Sequence, residues 1–75
     1  KQLKLVVTFH TTTSAIAMEK ICMAKGAPGR LIPVPTDISA GCGMSWCAPV
    51  EARSIIEKTI KEAGIETDGW YELMV

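Results

Sequence analysis

The sequence predicts a small α+β domain in which two helices pack on one face of a four-stranded antiparallel sheet. Two segments place apolar residues at helical spacing, and each ends at a glycine. The remaining apolar stretches are short and rich in the residue types that favour strands. These predicted strands are Leu3–His10, Gly29–Pro35, Gly43–Ala48 and Gly69–Val75. The resulting order is βαββαβ.

The first helix is predicted over Ser14–Lys25, directly after a run of hydroxyl side chains. Thr11–Ser14 supplies several candidate N-cap residues, and Gly26 stands where a helix commonly ends in a left-handed conformation. The residues predicted to face the core are Ala15, Met18, Ile21 and Cys22.

The second helix is predicted to begin at Pro49, since proline is tolerated in the first helical turn. Glu51 then lies in that turn, where a carboxylate is favourable, and Gly64 ends the helix. Its predicted inner stripe consists of Ala52, Ile56, Ile60 and Ala63.

The element order matches the split-βαβ plan of ferredoxin-like folds, which predicts a two-layer sandwich with sheet order 4-1-3-2. Pro33 lacks a backbone donor, so the second strand is expected at an edge of this sheet. In this topology, the end of the first strand and the loop between the second and third strands meet at one end of the sheet. His10 and Cys42 are therefore expected at the same end.

Composition excludes several classes of function. The 75-residue chain has room for one domain, covering residues 1–75, and carries eight basic and eight acidic residues without a run of either sign. That balance lacks the basic footprint of a nucleic-acid-binding protein. No apolar stretch approaches the length of a membrane span and no signal-peptide pattern is visible, so we expect a cytoplasmic protein. Dimerisation through the exposed sheet face stays open.

Three cysteines are too few for a disulfide scaffold and indicate free thiols in a reducing compartment. Their spacing does not fit a structural zinc site, and we expect neither a metal nor a cofactor. Cys22 is predicted to lie in the core, whereas Cys47 ends the third strand and is a candidate to resolve an oxidised Cys42. A direct disulfide between Cys42 and Cys47 is disfavoured, because five extended residues span about 16–18 Å.

Cys42 is the candidate reactive thiol because it lies between Gly41 and Gly43. Neighbours without side chains let another molecule approach the sulfur closely, and their backbone N–H groups can hold an anion. A nearby helix N-terminus and His10 would both favour the thiolate, which is the nucleophilic form.

A plainer interpretation stands beside each of these assignments. Cys42 fits a tight turn equally well as an incidental small residue, and His10 at a strand end fits a capping or exposed polar role. Thr11, Thr12 and Thr13 most simply cap a helix, with anion binding as the second interpretation.

The motifs "VTFHTTTSAIAMEK" and "GRLIPVPTDISAGCGMSW" resemble the selenium/sulfur carrier-like family of small bacterial domains. The resemblance extends from Leu5 to Tyr71. It implies that Cys42 is the carrier thiol and that the chain works with a donor enzyme and an acceptor protein. Cys47 departs from the family pattern, in which a basic or other residue is more usual after the tryptophan.

The leading hypothesis is therefore a carrier of sulfur or selenium, held on Cys42 as a persulfide or selenosulfide. His10 would tune the thiolate, and Thr11–Thr13 with the flanking glycines would hold the anionic product. The alternative is a regulatory or small-molecule-binding module that does not use the thiol. An independent enzyme is disfavoured, because the sequence offers neither paired carboxylates nor a complete catalytic triad.

Overall fold

The computed structural model of the protein describes residues 1–39 and 43–75. They form four strands, two α-helices and one 3-10 turn. In chain order, these elements are β1 (Leu3–Thr8), α1 (Thr12–Lys25), β2 (Arg30–Pro33), β3 (Met44–Pro49), the 3-10 turn (Val50–Ala52), α2 (Arg53–Ala63) and β4 (Gly69–Met74). The predicted α+β class is confirmed.

The strands form a single antiparallel sheet in the order β2-β3-β1-β4. This is the predicted order counted from the other edge, so the predicted strand order is confirmed. β2 lies at an edge, as Pro33 requires, and pairs with β3 alone. At the other edge, β4 pairs along the whole of β1, from Thr8 opposite Gly69 to Leu3 opposite Met74.

Alternation along the strands separates the two faces of the sheet. Leu5 and Val7 of β1 point toward the helices, where they join Trp46 and Ala48 of β3 in the core. The helices and the 3-10 turn complete this core with Met18, Cys22, Ala52, Ile56 and Ile60. We call the opposite side the open face; it carries Lys4, Val6, Thr8, Arg30, Ile32, Ser45, Cys47 and Tyr71.

Helix α1 begins earlier than predicted because Thr11 is its cap. The backbone of Thr11 is extended, and its hydroxyl oxygen accepts a hydrogen bond from the Ser14 N–H at 3.1 Å. Strand β1 correspondingly ends at Thr8 rather than at His10. Gly26 ends the helix with φ 69°, as predicted.

The predicted start of the second helix is wrong. Pro49 has ψ 144°, which is extended, and it closes β3 opposite Lys4. The chain then makes the 3-10 turn that contains Glu51 before α2 begins at Arg53. Proline fixes φ only, so its presence is compatible with either conformation.

The predicted inner stripe of α2 is correct over its first three members and fails at the fourth. Ala52, Ile56 and Ile60 are buried, whereas Ala63 is exposed. Thr59 is buried in addition, because its hydroxyl donates to the Ile55 carbonyl at 2.8 Å and is thereby satisfied within the helix.

Candidate functional site

One end of the sheet gathers the segments that the sequence singled out. Thr8 closes β1 here, paired with Ser45 on one side and Gly69 on the other, while Pro33 of β2 pairs with Met44. We call this region the loop end; it comprises residues 8–13, 34–39, 43 and 67–69. The predicted meeting of the strand 1–helix 1 connection with the base of the β2–β3 loop is confirmed.

The base of the β2–β3 loop is closed by a backbone hydrogen bond. The Val34 N–H donates to the Gly43 carbonyl at 3.0 Å, one step beyond the Pro33–Met44 pair. Gly43 has φ 149°, a conformation that residues with a Cβ rarely adopt. Its requirement for glycine is therefore one of backbone conformation, because an added Cβ would meet nothing closer than Val34 Cγ2 at 3.7 Å.

The first part of the loop folds back on itself. The Pro35 carbonyl accepts hydrogen bonds from the N–H groups of Ile38 and Ser39, at 2.9 and 3.2 Å. These bonds make a turn directly after β2, so both the start of the loop and its end at Gly43 are tied down.

Cys42 and Gly41, two of the predicted site residues, lie outside the described residues, as does Ala40 between Ser39 and Gly41. Gly43 is the predicted site residue that the structure describes next to them. The assignment of Cys42 as the reactive thiol stays a prediction.

His10 lies at the loop end, as predicted, and has a partner that the sequence did not indicate. Its Nε2 lies 3.7 Å from Oδ1 of Asp68, in the connection between α2 and β4. Both side chains are more than half exposed, at 58% and 53%. The Asp68 N–H donates to the Thr8 carbonyl at 2.7 Å, and this bond anchors the aspartate beside the end of β1.

The three threonines of the predicted anion site divide into two groups. The Thr11 hydroxyl is engaged in the helix cap, where its oxygen accepts from Ser14 N–H and its proton is directed to Ser14 Oγ at 3.1 Å. Thr12 and Thr13 form the exposed first turn of α1, which contains no acidic residue. Their backbone N–H groups belong to the set that a helix leaves without an internal acceptor.

The other two cysteines are buried in regular elements. Cys22 is fully buried among the core residues of α1, as predicted, and this burial raises the pKa of its thiol. Cys47 lies in β3 on the open face, on the side of the sheet opposite to Trp46, and is 6% exposed.

The open face near the loop end includes an aromatic side chain, that of Tyr71. The ring of Tyr71 lies over Gly69, so that a Cβ added to Gly69 would lie 2.8 Å from the Tyr71 hydroxyl oxygen. Gly69 and Tyr71 are two positions apart along β4, and positions two apart share a face of the sheet. This spacing was the signal in the sequence that could have predicted the contact. Tyr71 is 37% exposed and brings a phenol to this end of the open face.

Across residues 1–39 and 43–75, no cluster of three or more His, Cys, Asp or Glu side chains is arranged to hold a metal ion. No helix among these residues has the length and apolar character required to cross a membrane.

Comparison with known proteins assigns the family. The model of the family described as "Putative Se/S carrier protein-like" matches residues 4–72, which is nearly the whole chain. The protein belongs to this family, as the two sequence motifs predicted. No curated protein and no solved structure matches the chain.

Proposed function

We propose that the protein carries sulfur or selenium on Cys42, receiving the atom from a donor enzyme and delivering it to an acceptor protein. The observation that carries the proposal is membership of the carrier-like family over residues 4–72. That match includes both the "FHTT" turn and the glycine-flanked cysteine.

The loading step is an exchange between sulfur atoms. The Cys42 thiolate attacks the terminal sulfur of a persulfide on the donor enzyme, and a new sulfur–sulfur bond forms on Cys42. The old bond breaks, and the donor's cysteine leaves as a thiolate with the electron pair. Loading with selenium follows the same course, with a selenosulfide on the donor in place of the persulfide. Delivery repeats the exchange with the acceptor as nucleophile.

The burial of the other thiols supports Cys42 as the carrier. Cys22 is inaccessible in the core, and its raised pKa disfavours the nucleophilic thiolate. Cys47 is nearly buried within a paired strand. A donor enzyme must bring a protein-bound persulfide into contact with the accepting sulfur, and a glycine-flanked loop position admits a partner of that size better than either buried position.

The described groups of the loop end support supplementary roles in this chemistry. His10 is the general base or, when protonated, the cation that favours the Cys42 thiolate, and the Asp68 carboxylate lies 3.7 Å from its ring. Because the Thr11 hydroxyl is used by the cap, stabilisation of the anionic product falls to Thr12, Thr13 and the first-turn N–H groups. Gly41 and Gly43 leave the approach to the sulfur free of side chains.

We also infer that the domain is of the ferredoxin-like class, an assignment supported by the βαββαβ order and the 2-3-1-4 antiparallel sheet. In such a domain, the segments of the loop end are held on rigid strands and a helix, which suits repeated docking on two larger partners. A compartment with reducing conditions, such as the cytoplasm, would keep the carrier thiol free.

The proposal is tested by residue-resolved mass spectrometry of the reduced protein after incubation with a desulfurase supplied with cysteine, and separately with selenocysteine. We expect one added sulfur or selenium atom on Cys42, none on Cys22, and loss of loading in Cys42→Ser. Cys47→Ser is the matched control, and it should load normally. An unmodified Cys42, or an even distribution over the three cysteines, would contradict the proposal and favour a binding module that does not use the thiol.

A further inference from the structure

A cavity of about 310 Å³ opens on the open face of the sheet, at the end opposite to the loop end. It is lined by Lys4, Pro28, Gly29, Arg30, Cys47 and Pro49. Its size falls at the lower end of the range for small-molecule sites, which is about 300–1,000 Å³. The cavity combines a thiol with two cationic side chains, and it is separate from the carrier site proposed above.

The strand register brings the charged groups next to the thiol. Arg30 is the direct cross-strand partner of Cys47, and cross-strand partners have side chains on the same face of the sheet. Lys4 is the partner of Pro49, two positions further along β3 on that same face. Arg30 is thus the direct neighbour of the thiol on the β2 side, and Lys4 lies diagonally from it on the β1 side, both within the lining of the cavity.

Neither cation is neutralised by a neighbouring carboxylate in the part of the chain that the structure describes. The contacts between basic and acidic side chains there involve His10, Lys25 and Arg53, none of which lines this cavity. Lys4 and Arg30 therefore give the cavity a positive potential that attracts an anion.

The close packing beneath the cavity depends on Gly29. A Cβ on this residue would lie 2.4 Å from Trp46 Nε1 and 2.7 Å from the Cys47 carbonyl oxygen. Only a glycine lets the chain run this close to β3, and the approach leads directly into Arg30 at the start of β2. The position of Arg30 beside Cys47 is therefore built into the fold.

We propose that this cavity binds anionic low-molecular-weight disulfides and that Cys47 is their site of covalent attachment. The class is a small disulfide bearing carboxylates, of which the oxidised forms of small acidic thiols are examples. The carboxylate of the attached half would lie between Lys4 and Arg30. The protein would thereby have a second reactive thiol in addition to the proposed carrier cysteine.

The attachment is a thiol–disulfide exchange. Cys47 loses its proton to solvent, and its thiolate attacks one sulfur of the disulfide. A bond forms between Cys47 Sγ and that sulfur while the original sulfur–sulfur bond breaks. The other half leaves as a thiolate with the electron pair and takes up a proton. Cys47 is oxidised and the released half is reduced, so no further oxidant is required.

The test compares two disulfides of nearly equal shape and opposite charge, dithiodipropionate and cystamine, in the Cys42→Ser background. Peptide-resolved mass spectrometry gives the rate of attachment at Cys47 for each reagent. For each protein we take the ratio of the attachment rate of dithiodipropionate to that of cystamine. The ratio of the parent protein is then divided by the ratio of Lys4→Gln or of Arg30→Gln, which cancels the intrinsic reactivity of the reagents. We expect this quotient to be about 3 or more for each cation removed, and to approach unity in high salt.

Lys20→Gln is the matched control, because Lys20 is exposed on α1 and far from the cavity lining. Its quotient should stay at unity. Cys22 should remain unmodified in every sample. The proposal is overturned if Cys47 is not attached by dithiodipropionate in the folded protein, or if attachment occurs with a quotient of unity for both Lys4→Gln and Arg30→Gln.

Discussion

Nε2 of His10 lies 3.7 Å from Oδ1 of Asp68, and the backbone of the same aspartate is bonded to the last residue of β1. Both side chains are solvent-exposed, so the contribution of this contact to the free energy of unfolding is at most about 1 kcal/mol. Its consequence is positional. The aspartate is held by its own N–H, which keeps its carboxylate close to the imidazole at the loop end.

Asp68→Asn should therefore separate positioning from stability. The asparagine keeps the N–H that bonds to Thr8, so the free energy of unfolding should change by less than about 1 kcal/mol, as measured by urea denaturation. Loading of Cys42 by a desulfurase should nevertheless slow by about two- to fivefold, because His10 loses its charged partner. A loading rate equal to that of the parent protein would remove Asp68 from the proposed site.

Gly29→Ala should be strongly destabilising. The new methyl group would overlap Trp46 and the Cys47 carbonyl, and φ of +126° is unfavourable for alanine. We expect a loss of more than about 2 kcal/mol, a large part of the roughly 3–5 kcal/mol that a domain of this size supplies. Circular dichroism and urea denaturation measure the loss.

Gly26→Ala is the control for that substitution. Gly26 also has positive φ, at +69°, but nothing lies within 4 Å of an added Cβ. It should cost only about 1 kcal/mol, the conformational penalty alone. Equal losses for the two variants would mean that the contacts beneath β2 are not as close as the structure has them.

Alkaline destabilisation should depend on Cys22. Burial raises the pKa of this thiol above its usual value of 9.0, whereas the unfolded chain ionises normally. Above pH 9.0 the unfolded state therefore binds fewer protons, and the free energy of unfolding falls as pH rises toward the folded-state pKa. Urea denaturation near pH 8 and near pH 10 should show a smaller decline in Cys22→Ala than in the parent protein.

The cavity left by Cys22→Ala will itself cost roughly 1–2 kcal/mol at both pH values. The informative quantity is therefore the difference between the two pH values within each variant. An identical decline in both proteins would show that other groups account for the alkaline loss.

The pKa of Glu62 should rise when Lys25 is replaced by methionine. Lys25 Nζ donates a hydrogen bond to Glu62 Oε1 at 2.9 Å, and this bond, together with the attraction of the ammonium group, holds the pKa of Glu62 below its ordinary 4.5. The associated stability is present above pH 4.5 and is lost as the pH falls through the folded-state pKa of Glu62. An NMR titration of the Glu62 carboxyl measures the shift.

Lys61→Met provides the comparison for this titration. Lys61 lies in α2, as Glu62 does, and its charge forms no ion pair with Glu62 among the described contacts. Its effect on the pKa of Glu62 should be small. If both substitutions raise the pKa equally, general charge rather than the Lys25 contact is responsible.

Much of the fold was predictable because its signals are local. The left-handed conformations of Gly26 and Gly64 depend on neighbouring residues alone, and the predicted ends of both helices are correct. The cap of the first helix lies within the predicted run of hydroxyl residues, although the helix begins at Thr12 rather than at Ser14. The strand order followed from topology and from the missing donor of Pro33. The predicted burial of Ala63 was wrong because helical periodicity identifies which face of a helix is apolar, whereas the length over which that face is covered depends on the neighbouring helix. This residue lines an open groove beside Ala24 and Ile65.

The candidate site was predictable only in part. Chain topology brought His10 to the loop end, yet its partner Asp68 is 58 residues further along the chain and no local pattern connects the two. The cation pair around Cys47 depends on the register between β1, β3 and β2, which the sequence does not specify to the residue. The role of Cys42 remains the prediction that the loading experiment addresses.

The hydrogen bond between Val34 and Gly43, described above, makes the connection from β2 to β3 suitable for engineering. With its two ends fixed, the intervening segment can change length at small entropic cost, about 0.6 kcal/mol for each doubling. Related sequences could therefore diversify this segment to suit different partners while keeping the same sheet. The domain would serve as a compact display scaffold, in which the five residues 35 to 39, ahead of the proposed carrier cysteine, are varied independently of the framework that presents them.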